Sequence, residues 1–255
     1  MPSFRLTVAL FAAALLAACA APRTSVNQSV GKDPAKPLPG RILLVTPDIQ
    51  VHEISAGGVV EKVDAWSKEA SGHAVQAIES TVQSKSLFEL VQSPQLSDAD
   101  NVLLEQYTAL YALVAGSAYG ASHSQYTAWR ERAAQFDYTL GPGLTAFSQR
   151  NKVDAAVFLV GTDYISTAGR KAAMAFGVIV AALAGVAIVP GSQPAFLSVG
   201  VVDMKTGDLL WFKSDIRSGS ANLRDADTVK SLMDSLFDHY PSVRIGTTVG
   251  ASASQ

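Results

Sequence analysis

The sequence predicts an α/β fold: a single mixed β-sheet flanked by helices. Three observations carry that expectation. Strand-like and helix-like segments alternate from Arg41 onward. The run Ala155–Val160 is apolar on both faces, as a central strand with helices on either side requires. The stretch Ala195–Ile216 then reads as two alternating strands joined by Met204-Lys205-Thr206-Gly207, a hairpin turn in which Gly207 can take positive φ.

Taken in order, Ile42-Leu43-Leu44-Val45 is a buried-strand signal, which Thr46 to Ile54 extend until Ala56-Gly57-Gly58 interrupts. Asp64 opens a helix to about Lys85, with Trp66, Ala70, Ala74, Ala77, Ile78 and Val82 near one face. Phe88–Val91 is a short strand. Ser97-Asp98-Ala99-Asp100 starts a second helix, whose Leu103, Tyr107, Leu110 and Val114 form an expected inner stripe. Helical stretches follow around Tyr126–Phe136 and from Gly141-Pro142-Gly143 to Arg150. Val153–Gly161 is the central strand. Asp225 to His239 is the last helix, with Val229, Leu232, Met233 and Leu236 inward. Residues 41–242 thus form the α/β domain. The Gly/Ala/Ser/Thr-rich tail, residues 243–255, reads as flexible.

The N-terminal segment predicts location. Arg5 precedes an apolar run, Leu6 to Leu16, too short to span a bilayer, followed by Ala17, Ala18 and Cys19, the one cysteine in the chain. Leu16-Ala17-Ala18-Cys19 resembles the lipobox of bacterial lipoproteins. The resemblance implies removal of residues 1–18 as a signal peptide and attachment of diacylglycerol to the Cys19 thiol, followed by acylation of the new amine. Residues 19–40 then read as the lipidated cysteine and a flexible tether, broken by Pro34, Pro37 and Pro39. Ala20 follows the cysteine where an inner-membrane retention signal carries Asp. By resemblance to the enteric sorting rule, this implies the outer membrane, facing the periplasm.

Cleavage would leave 237 of the 255 residues and, with Arg5 removed, shift the formal net charge from −2 to −3. Such a balance argues against nucleic-acid binding. With Cys19 lipidated, no thiol remains for a disulfide or cysteine metal site, so core packing alone must hold the fold in an oxidising compartment.

The order of elements, with Asp154-Ala155-Ala156-Val157-Phe158-Leu159-Val160-Gly161 and the hairpin from Val201 to Trp211, resembles periplasmic lipoproteins that include the curli secretion channel protein and the TolB N-terminal domain. This TolB-N-like resemblance covers about a third of the mature chain. It implies a role in cell-envelope assembly or export, often as oligomers, and no catalytic residues. Two amphipathic hairpins that could build a pore are not apparent.

Between Lys171 and Asp203 no residue is charged, and 172–190 form an apolar insertion before the hairpin. Ala173, Gly177, Ala181 and Gly185 recur every four residues, a stripe that allows close helix approach. A packed or oligomer-forming helix, a membrane-contacting helix and a membrane hairpin are all compatible with this segment. Its apolar surface calls for self-association or another envelope protein.

His52, His73, His123 and His239 lack metal-ligand spacing, so no metal or other cofactor is expected. Tyr107, Tyr111 and Tyr119 read as core and rim. One loop could hold an anion: Asp163, expected just past the central strand, with Arg170 and Lys171 at a following helix start. Its spacing matches neither a P-loop nor a nucleophile elbow. The resulting expectation is a non-enzymatic assembly or accessory lipoprotein held to the bilayer through Cys19. The alternatives are an oligomeric outer-membrane export channel subunit and a periplasmic ligand-binding or hydrolytic enzyme.

Overall fold

The computed structural model describes residues 24–27, 40–91, 96–183, 195–217, 222–238 and 240–241, with the backbone alone at Thr24 and over 176–183. The signal segment, Cys19, most of the tether, Gly185 and the tail 243–255 lie outside the described residues.

The chain is α/β, with one mixed eight-stranded sheet and, among the described residues, six α-helices. In chain order these are β1 (Thr24–Val26), β2 (Arg41–Leu44), β3 (Asp48–Ile54), β4 (Val60–Lys62), α1 (Asp64–Lys85), β5 (Glu89–Val91), α2 (Asp98–His123) and α3 (Thr127–Gln135). A 3-10 turn at Pro142–Leu144 leads into α4 (Thr145–Asn151), β6 (Ala155–Ser166), α5 (Ala168–Leu183), β7 (Ala195–Asp203), β8 (Leu209–Arg217) and α6 (Ala226–Phe237).

β6 is the spine. β2 and then β3 pair with it in parallel along one side, and β7 pairs antiparallel along the other. β8 follows β7, β1 closes that edge, β5 lies outside β2 and β4 outside β3. Ala155, Val157 and Leu159 point to the face covered by α1 and α6. Ala156, Phe158 and Val160 point to the face covered by α2 and α4. The two-sided apolar pattern of the central strand therefore serves two separate cores.

Local chemistry explains the element ends. The Ser97 hydroxyl caps α2 by accepting from the Asp100 N–H, and Asp225 caps α6 by accepting from the Thr228 N–H. Gly207 closes the β7–β8 turn at φ 79°. Asp203 Oδ1 accepts from the Lys205 and Thr206 amides in the same turn. The buried positions of α1 include Ala70, Ala74, Ala77, Ile78 and Val82, and those of α6 include Val229, Leu232, Met233 and Leu236, as their periodicity predicts.

Four expectations need correction. The segment read as a tether carries β1, which pairs with the open edge of β8; the partner supplies what Thr24-Ser25-Val26 lack in intrinsic signal. The strand expected from Ile42 to Ile54 is two strands, β2 and β3, separated by Val45-Thr46-Pro47; Pro47 has no N–H to give a ladder. The central strand runs to Ser166, five residues beyond Gly161, because β3 and β7 hold it on both sides. The buried line of α2 is Leu104, Thr108, Tyr111, Ala115 and Ala118, not the stripe through Leu110; Leu103, Tyr107 and Val114 only flank it. α2 has no charge from Gln106 to Ser122, so apolar periodicity could not choose its inner face.

Candidate functional site

Asp163 does not lie in a loop. It sits in β6 opposite Val51, is buried, and its Oδ2 accepts from the Leu223 N–H at 2.9 Å. Leu223 is itself fully buried. Its neighbour Arg224 lies over the Trp66 ring at 4.2 Å, and the Arg224 Nε donates to Asn222 Oδ1 at 3.1 Å. Asp163 thus latches the approach to α6 onto the sheet. Burial pushes its carboxyl above the ordinary range, against the Leu223 and Tyr164 amides and the Arg224 charge that pull the other way.

This fixes the expected behaviour of variants. A buried acid with a raised pKa adds most stability at low pH and loses it as pH climbs from its unfolded value through the folded one. Asp163→Asn keeps an acceptor for the Leu223 N–H without the charge. Its stability relative to the native chain should rise as pH climbs above about 4, the unfolded carboxyl value, in urea unfolding. Asp163→Ala should lose about 1–3 kcal/mol by orphaning a buried N–H.

Arg170 and Lys171 stand apart from this latch. Both lie in the first turn of α5, where the Thr167 hydroxyl accepts from the Arg170 N–H at 3.1 Å. The Arg170 guanidinium lies beside Gly58, and Lys171 is exposed. The charged neighbour of Asp163 is Arg224. The three residues expected to share an anion loop are therefore divided between a strand interior and a helix start. Of the predicted stripe, Ala173 is an exposed residue of α5; Gly177 and Ala181 are placed by backbone alone.

Another buried charge has a structural use. The Lys213 ammonium in β8 donates to the Ser235 carbonyl at 2.7 Å, satisfying an acceptor in the last turn of α6. Burial lowers its pKa, while Asp238 and Asp215 oppose that shift.

Two concave regions stand out among the described residues. A cleft of about 430 Å³ opens between the β2–β3 break and the first turns of α2, with Thr46, Asp48, Asn101, Glu105 and Thr108 as its polar residues. Among the described residues no three His, Cys, Asp or Glu side chains are grouped to hold a metal ion. The other is a groove of about 350 Å³ between α2 and α3, lined by Leu113, Val114, Ser117, Trp129, Arg132 and Tyr138.

This groove belongs to an unusual surface. No residue of α3 is buried. Leu113 is 72% exposed, Trp129 53% and Tyr126, just before α3, 75%. The uncharged outer side of α2 continues the patch through Leu110. Single exposed apolar residues are ordinary, but here Leu113 and Trp129 line one groove, and Tyr126 precedes the same helix as Trp129. The uncharged run Gln106–Ser122 was its signal in the sequence, since it supplies apolar residues for two faces.

No protein-family model matches the chain, and no curated protein shows significant sequence similarity to it.

Proposed function

We propose that the chain is a lipid-anchored, periplasm-facing envelope protein whose α/β domain acts by binding another protein, as an assembly or accessory component. The observation that carries the binding role is the exposed α2–α3 face with Leu113, Tyr126 and Trp129. Aromatic side chains beside an apolar groove are the common anchors of protein interfaces. The lipobox-like Leu16-Ala17-Ala18-Cys19 supports the anchor. The position of Asp163 supports a non-catalytic reading, because the residue best placed in the sequence for chemistry is engaged in holding α6.

In-cell photo-crosslinking tests the role. A benzophenone side chain at Leu113 or Trp129 should give a discrete protein adduct, whereas one at exposed Lys68 on α1 should not. Leu113→Glu with Trp129→Glu should remove the function in a deletion strain at normal protein level, since surface changes at such sites typically alter stability by within about 0.5 kcal/mol. Absence of any adduct at both positions would contradict the binding role.

A further inference from the structure

Strand β1 brings the body of the protein much closer to Cys19 than a twenty-residue tether would. β1 begins five residues after Cys19. Five residues reach at most about 18 Å. β1 runs antiparallel to β8, with Thr24 opposite Lys213 and Val26 opposite Trp211. β8 ends at Arg217, so the chain enters β1 from the end of the sheet where β8 finishes.

That end gathers several features of one kind. β6 finishes there at Ser166 and α5 begins at Ala168. The β3–β4 loop is there too, with the Thr167 N–H bonded to the Ile54 carbonyl and Arg170 beside Gly58. Val59, Val60 and Ile216 are exposed apolar tips. Arg170 and Lys171 supply positive charge, and Arg217 is ion-paired with Asp215. In the first two turns of α5, Ala168, Gly169, Lys171, Ala172, Ala173 and Ala175 are exposed, so the helix begins by standing clear of the body. The sequence that follows has no charge up to Val202.

From this juxtaposition we infer that this end of the sheet is a lipid-facing surface, bedded in the leaflet that holds Cys19. The inference rests on the anchoring reading above. The occupant is a bilayer because the anchor leaves little room for anything else there. Exposed apolar tips and the part of α5 that follows Lys171, uncharged in sequence, enter the interfacial layer, while Arg170 and Lys171 meet lipid phosphates. The contact is shallow: among the described residues no helix is long and apolar enough to cross a membrane. The α2–α3 groove opens on the face of the sheet covered by α2, with the α2–α3 junction toward this end, where Tyr119 meets Phe196 at the start of β7.

Hydrogen exchange read by mass spectrometry tests this without cellular lipidation. The chain from Cys19 onward is coupled through that cysteine to a maleimide lipid in vesicles of phosphatidylethanolamine and phosphatidylglycerol. Amides of Ala56–Val60 and Ala168–Ala175 should exchange about fivefold or more slowly than in the uncoupled chain, with the Met204–Gly207 turn at the opposite end unchanged. Arg170→Glu with Lys171→Glu should reduce that protection. Unchanged exchange at both segments, or protection appearing instead over the Met204–Gly207 turn, would overturn the inference. Failure of Cys19 to acquire lipid in cells would remove the anchoring reading and leave the vesicle result standing on its own.

Discussion

Replacing Trp211 by alanine should lower stability by about 3–5 kcal/mol, the cost of deleting a large buried aromatic and leaving a cavity. Trp211 is fully buried in β8, stacks on Phe237 with ring centroids 5.3 Å apart and meets Tyr240 edge-on at 5.1 Å. It joins the sheet to the end of α6, and its strand partner is Val26 of β1. The loss corresponds to a fall in melting temperature of roughly 10 °C or more. Trp211→Phe should recover most of it, because a ring remains to stack. The indole N–H has no partner among the described residues, so its removal adds no further penalty.

Gly207→Ala should be the most damaging of the small changes. Gly207 holds φ 79°, a left-handed conformation that costs other residues about 1–2 kcal/mol. A Cβ there would also run into the backbone of Gly141. The two segments cannot separate easily. The Leu140 N–H donates to the Gly207 carbonyl at 2.8 Å, and the Thr145 hydroxyl lies 2.8 Å from the Lys205 carbonyl. Overpacking adds about 1–3 kcal/mol more. Urea unfolding should show the combined loss, with the β7–β8 turn and the Thr139–Leu144 segment exchanging amide protons faster than in the native chain.

These two sites mark what was legible in the sequence. The turn at Gly207 and the inward face of α6 follow from local chemistry, namely a turn tetrapeptide and a strong 3.6-residue pattern. The central strand was legible because it is apolar on both faces. β1 was not, since a segment of only three residues, Thr24-Ser25-Val26, becomes a strand only when β8 offers an edge far away in sequence. Asp163 was misplaced for a related reason. Thr162-Asp163-Tyr164 looks like a loop until its neighbours in β3 and β7 are known. Asp163 therefore shares no loop with Arg170 and Lys171. The α2–α3 face was hidden because a helix uncharged over so many residues offers two apolar faces, and only packing decides which one stays in water. Arg170 and Lys171 flank the insertion in sequence, and their neighbours in the fold are a loop tip and an exposed helix, not Asp163.

The most direct test of the account is the mass of the N-terminal peptide of the mature protein recovered from membranes. Anchoring requires that residues 1–18 be absent and that Cys19 carry thioether-linked diacylglycerol and an acylated amine. Cys19→Ser should then leave an uncleaved precursor that takes up no labelled fatty acid, since a hydroxyl does not replace the thiol in that linkage. A mature chain with a free Cys19 thiol, or a Cys19→Ser variant that matures and fractionates with membranes unchanged, would contradict it.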